Sequence, residues 1–314
     1  MTYNNLVTIV TPTYKRHKEI LDRSIQSLLT QSHKNIEVIV VDDNPPDSPY
    51  RIEIKKYIET MSDERVVYIQ NHKNIGGALS RNVGIFKSKG DFITFLDDDD
   101  IYLPDKIKNQ LSLMIKYDSD LTFTDLKICN ENNDVIDYRK FDFILDNNND
   151  SLMRYHLTRN LTGTPTFMFK SEALKNIDGF DNVKMGHEFY LMYKSIESGL
   201  SIRYLPICDV VAYRTKADSI SNGMEKIEGE NQIYRFKKSK YDILNKNEKE
   251  MIEFRHRAVL AVAYKRRNKY LKMIITLVDM FFTSPKYSVT EGYKFINNYL
   301  KGSKEKNIWN YMID

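Results

Sequence analysis

The 314-residue sequence contains little cysteine and no long apolar run. Its two cysteines, Cys129 and Cys208, lack the paired spacing of a zinc site, so both are predicted to be reduced, structural thiols. No apolar stretch approaches the roughly 18 uncharged residues of a membrane helix. The N-terminus also lacks the order of basic, apolar and small residues that is typical of a secretory signal. We therefore expect a cytoplasmic protein.

The sequence has only a small excess of positive charge, and this charge is unevenly distributed along the chain. The net charge is +4, and residues 251–314 carry 12 Lys plus Arg against 5 Asp plus Glu, or +7, which leaves −3 for the first 250 residues. A basic C-terminal region suits an anionic membrane surface or an anionic acceptor. Because no recognisable nucleic-acid motif accompanies it, no nucleic-acid partner is expected.

The first hundred residues alternate short apolar runs with amphipathic segments. The runs 6–10, 36–41, 65–70 and 92–96 are short and rich in β-branched residues, which is typical of strands buried on both faces. Leu21, Ile25, Leu28 and Leu29 recur with helical spacing between the first two runs, and a similar pattern extends up to Gly90. The alternation predicts an α/β fold with a mostly parallel sheet in three layers, whose ligand crevice lies at the carboxyl ends of the strands.

Further elements follow in the second hundred residues. The segment that begins at Pro104 predicts a helix, "LTFTDLKIC" predicts a strand, the polar stretch after it predicts an excursion with a hairpin, and "GTPTFMFKSEAL" predicts a strand and a helix. From about Ile227 only helical patterns remain. We therefore expect a domain of residues 1–225, with halves at 1–100 and 101–225, and a helical region at 226–314.

Four consecutive aspartates, Asp97 to Asp100, follow the strand predicted at 92–96. Such a run is stable only if it is solvated or neutralised. If the strand geometry continues, Asp97 and Asp99 point one way and Asp98 and Asp100 the other. A pair of carboxylates suits Mg²⁺ or Mn²⁺ shared with substrate phosphates. The alternative is an acidic surface loop.

Polar residues also follow the other predicted strands. Thr11, Pro12, Thr13 and Tyr14 end the first, where they could hold a base, and Lys15 and Arg16 could meet phosphates. Asp42 and Asp43 end the second and could accept an N–H from a nucleobase or a ribose hydroxyl. Asn74, Gly76, Gly77, Arg81 and Asn82 follow the third. Taken singly, these residues are equally typical of turns, helix caps and helix packing.

These segments, together with "GHEFYLMYKSIESG", resemble the family 2 inverting glycosyltransferases over residues 6 to about 222. The resemblance implies a GT-A fold, a Rossmann-like three-layer nucleotide-diphospho-sugar transferase, with a C-terminal helical extension. It implies a sugar-nucleotide donor whose base contacts Asp43, Pro12 and Tyr14. Asp97, Asp98 and Asp99 correspond to the DXD region, which contacts the ribose and the metal, with Asp99 and Asp97 as the metal ligands.

The resemblance also implies a catalytic base at the start of a helix. Glu188 stands where the family carries this base, and His187 stands where the family often has Glu. Arg214, Lys216, Ser219 and Ser221 correspond to a terminal segment near the donor phosphates and are weaker candidates, as is His187. The QxxRW signature of processive synthases is absent, so transfer of a single sugar is expected.

The substrates and partners are less sharply predicted. Asp43 favours uracil, although thymine or guanine offers a comparable N–H, and the acceptor is expected to be a glycan or lipid-linked molecule of capsule, lipopolysaccharide or teichoic type. The basic helices could contact a membrane, pack on the catalytic domain or form a homodimer. Two rival functions stay open: a sugar-phosphate nucleotidyltransferase, which the lack of a Gly-rich basic loop after the first strand disfavours, and a non-catalytic sugar-nucleotide-binding protein.

Overall fold

Strands and helices alternate from the N-terminus in the order that the sequence predicts. The structure, a computed structural model, describes residues 4–161, 163–214 and 224–291, with side chains from 227 onward in the last range. The first elements are β1 (Val7–Thr13), α1 (Lys18–Leu29), β2 (Ile36–Asp42), α2 (Pro49–Met61), β3 (Val66–Gln70), α3 (Gly77–Lys87) and β4 (Phe92–Phe95). After them come β5 (Ile101–Tyr102), α4 (Lys106–Tyr117), β6 (Leu121–Thr124), β7 (Leu126–Cys129), β8 (Val135–Arg139), α5 (Asn149–Arg159), β9 (Met168–Lys170), α6 (Ser171–Asn176), α7 (His187–Glu197), β10 (Ile202–Leu205) and β11 (Val210–Tyr213).

The main sheet has seven strands in the order β10-β6-β9-β4-β1-β2-β3. Its pairings are parallel except that β9 runs antiparallel to both β4 and β6. Because β4, β1, β2 and β3 are parallel, their carboxyl ends lie along one edge. This edge is where polar residues follow the strands.

Apolar packing on both faces holds this sheet in the middle layer. Along β2, Ile39 and Val41 belong to one core cluster and Val38 and Val40 to a second. Helix α1 packs on the second face through buried residues such as Leu21. Alternate side chains of one strand thus serve opposite cores, which explains why the strand sequence is almost entirely apolar.

A smaller sheet of four strands, in the order β5-β11-β7-β8, lies beside the main sheet. The expected single strand "LTFTDLKIC" is two strands, β6 and β7, which belong to different sheets. The chain changes sheet at Asp125, whose backbone N–H donates to the carbonyl of Ile207. The expected hairpin is present as the antiparallel pair β7 and β8.

Helix α3 ends earlier than the pattern up to Gly90 predicts, because its last residue is Lys87. Gly90 instead lies against β1, where an added Cβ would come within 2.7 Å of the Thr8 backbone nitrogen. A side chain at this position would therefore collide with β1, and the glycine permits close approach of two chain segments.

Only helices follow β11 among the described residues: α8 (Met224–Lys238), α9 (Lys246–Arg266) and α10 (Tyr270–Thr283), with a short 3-10 helix at Tyr241–Ile243. Ile233 and Ile252 from these helices share a core cluster with Leu157 of α5 and Phe189 of α7. The helical region therefore packs directly on the helices of the preceding part. No helix in the described ranges has the length and apolar character needed to cross a bilayer.

Candidate active site

The ends of β1, β2 and β4 bring most of the sequence-predicted polar residues together. Thr13 is the register partner of Asp42 at the ends of β1 and β2. The hydroxyl of Thr13 donates to Asp98, three residues beyond the end of β4, over 2.7 Å. Residues that lie 85 positions apart in the sequence thus meet at one edge of the sheet.

The four aspartates form a turn rather than a continuing strand. The Asp100 N–H donates to the Asp97 carbonyl, and β4 has already ended at Phe95. Arg16 donates from Nε to Asp98 Oδ1 and from Nη2 to Asp99 Oδ2, both over 2.9 Å. The expected alternation, with Asp98 and Asp99 on opposite sides, is therefore wrong, because the turn directs both toward one guanidinium group.

Arg81 connects this acidic turn to α7. It lies in the second turn of α3, is 7% exposed, and donates from Nη2 to Asp97 Oδ1 and from Nη1 to His187 Nε2, the latter over 3.2 Å. A guanidinium group has no acceptor, so His187 Nε2 must carry the lone pair. Burial and the nearby Arg81 charge lower the His187 pKa, although Glu188 opposes this shift. His187 is consequently a neutral acceptor near pH 7.

Glu188 stands beside this connection in the first turn of α7. Its Oε2 is 3.6 Å from His187 Nε2, and the side chain is 32% exposed. Gly186 precedes the helix with a φ of 73°, a left-handed conformation that turns the chain into α7. The helix dipole favours a negative charge at this position, and the partly exposed Glu188 carboxylate is accessible.

Burial gives the aspartates of the turn unusual protonation behaviour. The pKa of Asp98 is raised chiefly by burial, although Arg16 opposes the shift. Burial and the charge of Asp98 raise the pKa of Asp99 to about 7. The pKa of Asp100 lies well above its usual range for the same reasons, burial first and Asp99 second. Full ionisation of the turn is thus unfavourable in the free protein, because its protein partners do not compensate four buried or neighbouring carboxylates.

This donor set fits a divalent ion that is shared with a substrate. In the described ranges no group of three or more His, Cys, Asp or Glu side chains forms a metal cage. The side chains of Asp97 and Asp99 are 37% and 26% exposed, so their oxygens are accessible. Mg²⁺ is often held by one or two carboxylates plus substrate phosphates and water, rather than by a cage made of protein alone.

The two aspartates at the end of β2 have different surroundings from those the sequence predicts. Asp42 is fully buried, and its oxygens accept from Asn44 and from the hydroxyl of Tyr68. These contacts give Asp42 a structural role at the end of β2, and its contact with the donor stays a prediction. Asp43 accepts from the backbone N–H groups of Ile75 and Gly76 and thereby fixes the loop that enters α3.

The residues around the end of β1 differ in accessibility. Thr11 is fully buried, and its hydroxyl has no partner among the described residues, so its contact with the donor stays a prediction. Pro12 is half-buried, whereas the Tyr14 ring is 41% exposed beside the Lys15 ammonium group. Asn74, on the loop before α3, is exposed and donates to the Asp43 carbonyl.

The weaker candidates are only partly described. The Arg214 N–H donates to the Cys129 carbonyl at the end of β7. Lys216, Ser219 and Ser221 lie outside the described residues.

The sequence analysis did not identify several residues that hold the strand ends and the acidic turn in position. Arg51 of α2 is buried and donates to the carbonyls of Asp42 and Asn71, which joins the ends of β2 and β3. Arg23 of α1 donates to the Asp99 carbonyl and stacks on the Tyr213 ring at 4.0 Å. Asn71 directly follows a predicted strand and could have been identified by that position. Arg51 and Arg23 lie within helices, where no sequence pattern distinguishes them.

Residues 8–177, more than half of the chain, match the family model described as Glycosyl transferase family 2. The chain belongs to this family. A relative from Methanocaldococcus jannaschii, the uncharacterized glycosyltransferase MJ1057, is 32% identical over 176 residues, which are 55% of this chain and 58% of the relative. WfgD of Escherichia coli, named as a UDP-Glc:alpha-D-GlcNAc-diphosphoundecaprenol beta-1,3-glucosyltransferase, is 34% identical over 127 residues, 40% and 48% of the two chains.

A third relative of this family 2 glycosyltransferase is TuaG of Bacillus subtilis, a putative teichuronic acid biosynthesis glycosyltransferase. It is 33% identical over 119 residues, 38% of this chain and 46% of TuaG. The chain thus spans about half the length of these curated relatives.

Solved structures agree on the fold. S. aureus TarS 1-349, in complex with UDP-GlcNAc, has a TM-score of 0.59 and 19% identity, covering 98% of this chain and 89% of TarS 1-349. The mannosyltransferase PcManGT from Pyrobaculum calidifontis, in complex with GDP-Man and Mn²⁺, has a TM-score of 0.59 and 16% identity, covering 99% and 86%. The expected α/β fold of GT-A type with C-terminal helices is confirmed.

Proposed function

We propose that this glycosyltransferase transfers one sugar from a nucleoside-diphosphate donor to an acceptor hydroxyl, with inversion and with a divalent metal. The connection from Asp97 through Arg81 to His187 carries the proposal, since it places the acidic turn next to Glu188. The residues that would stabilise the charged leaving group are therefore adjacent to the residue that would accept the proton.

The donor binds, in this proposal, at the carboxyl ends of β1, β2 and β4. Pro12, Tyr14 and the loop fixed by Asp43 surround the base, and Asn74 lies on the same loop. Thr13 and Arg16 hold Asp98 and Asp99 in place toward the ribose and diphosphate. A UDP-sugar is favoured because WfgD is named for a UDP-sugar donor and TarS was solved with one.

Glu188 acts as the general base. It takes the proton of the acceptor hydroxyl while the hydroxyl oxygen bonds to the anomeric carbon. The bond from that carbon to the diphosphate oxygen breaks, and its electron pair leaves with the nucleoside diphosphate. Direct displacement from the opposite face inverts the anomeric configuration, and Arg81 is placed to stabilise the negative charge of the leaving group.

Asp99 and Asp97 would hold Mn²⁺ or Mg²⁺. Their exposure, together with the raised pKa of Asp99, supports this assignment, because a cation relieves the repulsion in the turn. A bound divalent ion supplies charge stabilisation for the departing diphosphate. PcManGT, a neighbour by fold, was solved with Mn²⁺.

The biological setting and domain organisation are part of the same proposal. We infer an acceptor that is a glycan or lipid-linked, in cell-surface polysaccharide biosynthesis on the cytoplasmic side, because TuaG and WfgD are named for such pathways or acceptors. Residues 1–225 form the catalytic domain, with the donor half at 1–100 and the acceptor half at 101–225. Residues 226–314 form the helical region.

A donor-hydrolysis and transfer assay with UDP-sugars and Mn²⁺ tests these roles. We expect Glu188→Gln to lower turnover by about a hundredfold or more, as loss of a general base does, with donor affinity retained. Asp99→Asn should instead weaken Mn²⁺-dependent UDP binding in calorimetry.

Matched controls separate these roles from general effects of charge. Glu172→Gln removes an exposed acid from the first turn of α6, and Asp142→Asn removes an exposed loop carboxylate, so both should retain activity. Unchanged activity in Glu188→Gln and Asp99→Asn would refute the site. Release of pyrophosphate, instead of a nucleoside diphosphate, would indicate a nucleotidyltransferase.

A further inference from the structure

Helix α10 has an apolar face that the rest of the described chain leaves uncovered. Six of its large apolar side chains are 50% to 78% exposed. We call them the α10 stripe: Leu271, Ile274, Ile275, Val278, Phe281 and Phe282. At 3.6 residues per turn they occupy an arc of about 120°, and Lys272 and Asp279 fall outside it. The opposite side packs on α9, where Met280 joins the cluster of Phe254 and Val259.

A cluster of cations lies at the N-terminal end of this helix. Residues 265–272 contain five Lys or Arg and no Asp or Glu. The side chains of Lys265, Arg266, Lys269 and Lys272 are exposed, and no salt bridge joins them to an acid that the structure describes. The helix N-terminus itself adds positive potential. Uncompensated positive charge thus borders the stripe.

We propose that the α10 stripe and this cation cluster form a surface that binds peripherally to a membrane rich in anionic lipid headgroups. An interfacial helix places its apolar face among the acyl chains while neighbouring Lys and Arg meet the phosphates. The stripe supplies the first feature and residues 265–272 supply the second. Glu188 and the acidic turn play no part in this surface.

Charge disfavours the other occupants. A second copy packed on α10 would offer one acid from that helix, Asp279, which already accepts from Arg257 Nε over 2.6 Å. Residues 292–314 contain four Lys and two acids, or +2, so this segment would add positive charge to a positive surface. An anionic bilayer is the occupant that complements both the stripe and the cations.

Co-sedimentation of the full chain with vesicles tests the proposal. We expect binding to phosphatidylglycerol-containing vesicles and little binding to pure phosphatidylcholine. The variant Ile274→Glu with Phe282→Glu should bind at least about tenfold more weakly, since each side chain loses its apolar burial. Lys265→Gln with Lys269→Gln should weaken binding severalfold and reduce its salt sensitivity. Ile52→Glu and Leu145→Glu alter side chains that are 64% and 86% exposed elsewhere, and they should bind as the wild type.

The rate of donor hydrolysis is measured in parallel and should be the same in all these variants. A variant that is misfolded would be recognised because it would also lose this activity. Equal vesicle binding by the stripe variant and its controls would overturn the proposal. So would a wild-type oligomer that the stripe substitutions dissociate, which would indicate a second copy. The single tryptophan, Trp309, reports on residues 292–314. If the stripe substitutions shift its emission without vesicles, that segment covers the stripe and the proposal fails.

Discussion

Arg16 and Arg81 bond to different aspartates of the acidic turn. Arg16 binds Asp98 and Asp99, whereas Arg81 binds Asp97. Asp100 is buried and accepts the backbone N–H of Tyr213 over 3.0 Å. Burial first, and then repulsion among the carboxyl groups, raises the pKa of Asp98, Asp99 and Asp100. Ionising all four carboxyl groups is therefore unfavourable in the free protein, and a bound cation would offset this cost.

The pH dependence of stability should reveal this cost at Asp99. Its pKa is about 7 in the folded protein, against about 3.9 in an unfolded chain. Between these values the folded state binds more protons, so the free energy of unfolding falls as the pH rises from 4 to 7, by at most about 4 kcal/mol. Urea unfolding in EDTA should show a smaller fall for Asp99→Asn. Asp142→Asn should follow the wild type, and parallel curves for Asp99→Asn and wild type would contradict the assignment.

The two contacts of Arg81 require a guanidinium group. A lysine ammonium is a single point of charge and cannot bond Asp97 and His187 in the same fork geometry. We expect Arg81→Lys to lower kcat/KM for the donor by about ten- to a hundredfold, as loss of positioning does. Steady-state kinetics measure this. Arg65→Lys alters an arginine bonded to Asp63 outside the crevice and should be near neutral, so equal values for the two variants would refute the role of Arg81.

Sequence reasoning at this scale identified which strand ends meet but not which oxygens are free. Asp42 and Asp43 are adjacent and chemically identical, yet Asp42 is enclosed by Tyr68 and Asn44, whereas Asp43 caps the loop into α3. The difference depends on partners that lie up to 33 residues away. No local pattern contains that information.

At the scale of elements, α7 is held in place by α5. His156 is fully buried, receives the Leu161 N–H at Nδ1, and faces the Phe189 carbonyl from Nε2 over 3.0 Å. Because a carbonyl only accepts, Nε2 must carry the hydrogen, and the ring is neutral. The helix that carries Glu188 is thus fixed by an uncharged imidazole stacked on Phe189.

Burial lowers the pKa of His156 to about 3, and this predicts acid sensitivity. An unfolded histidine gains a proton near pH 6.5, so this site's contribution to stability is complete above that pH. This contribution to the free energy of unfolding decreases as the pH falls toward 3. By pH 5 it has decreased by about 2 kcal/mol. Subtracting the unfolding curves of His156→Gln from wild type should isolate this slope. His33→Gln, at another mostly buried histidine, is the comparison, and a pH-independent difference for His156→Gln would contradict the prediction.

The elements that the sequence predicts well are those with strong periodicity and clear ends. β1 to β4 follow from continuous apolar runs, because both faces of the sheet are covered. The division of "LTFTDLKIC" into β6 and β7 could not be predicted. β7 is assigned to a different sheet from β6 because it pairs with β8 and β11. Strand pairing is a long-range property that propensity does not encode.

For the whole molecule, the C-terminal helices pack on α5 and on α7, the helix that carries Glu188. Ile233 of α8 comes close to Gly186, so that a Cβ there would lie 2.5 Å from it. The start of α7 is therefore packed against α8, and the α10 stripe belongs to the same helical region. Membrane binding through α10 would bring the enzyme to the surface at which a lipid-linked acceptor lies.

A crystal structure of the full chain soaked with UDP and MnCl₂ tests the proposed donor and metal site. We expect an anomalous manganese peak bonded to Asp99 or Asp97 and to the diphosphate, with the uracil between Tyr14 and the Asp43 loop and Glu188 facing the sugar side. A manganese ion or a nucleotide bound away from this turn, or none at saturating concentrations, would contradict it.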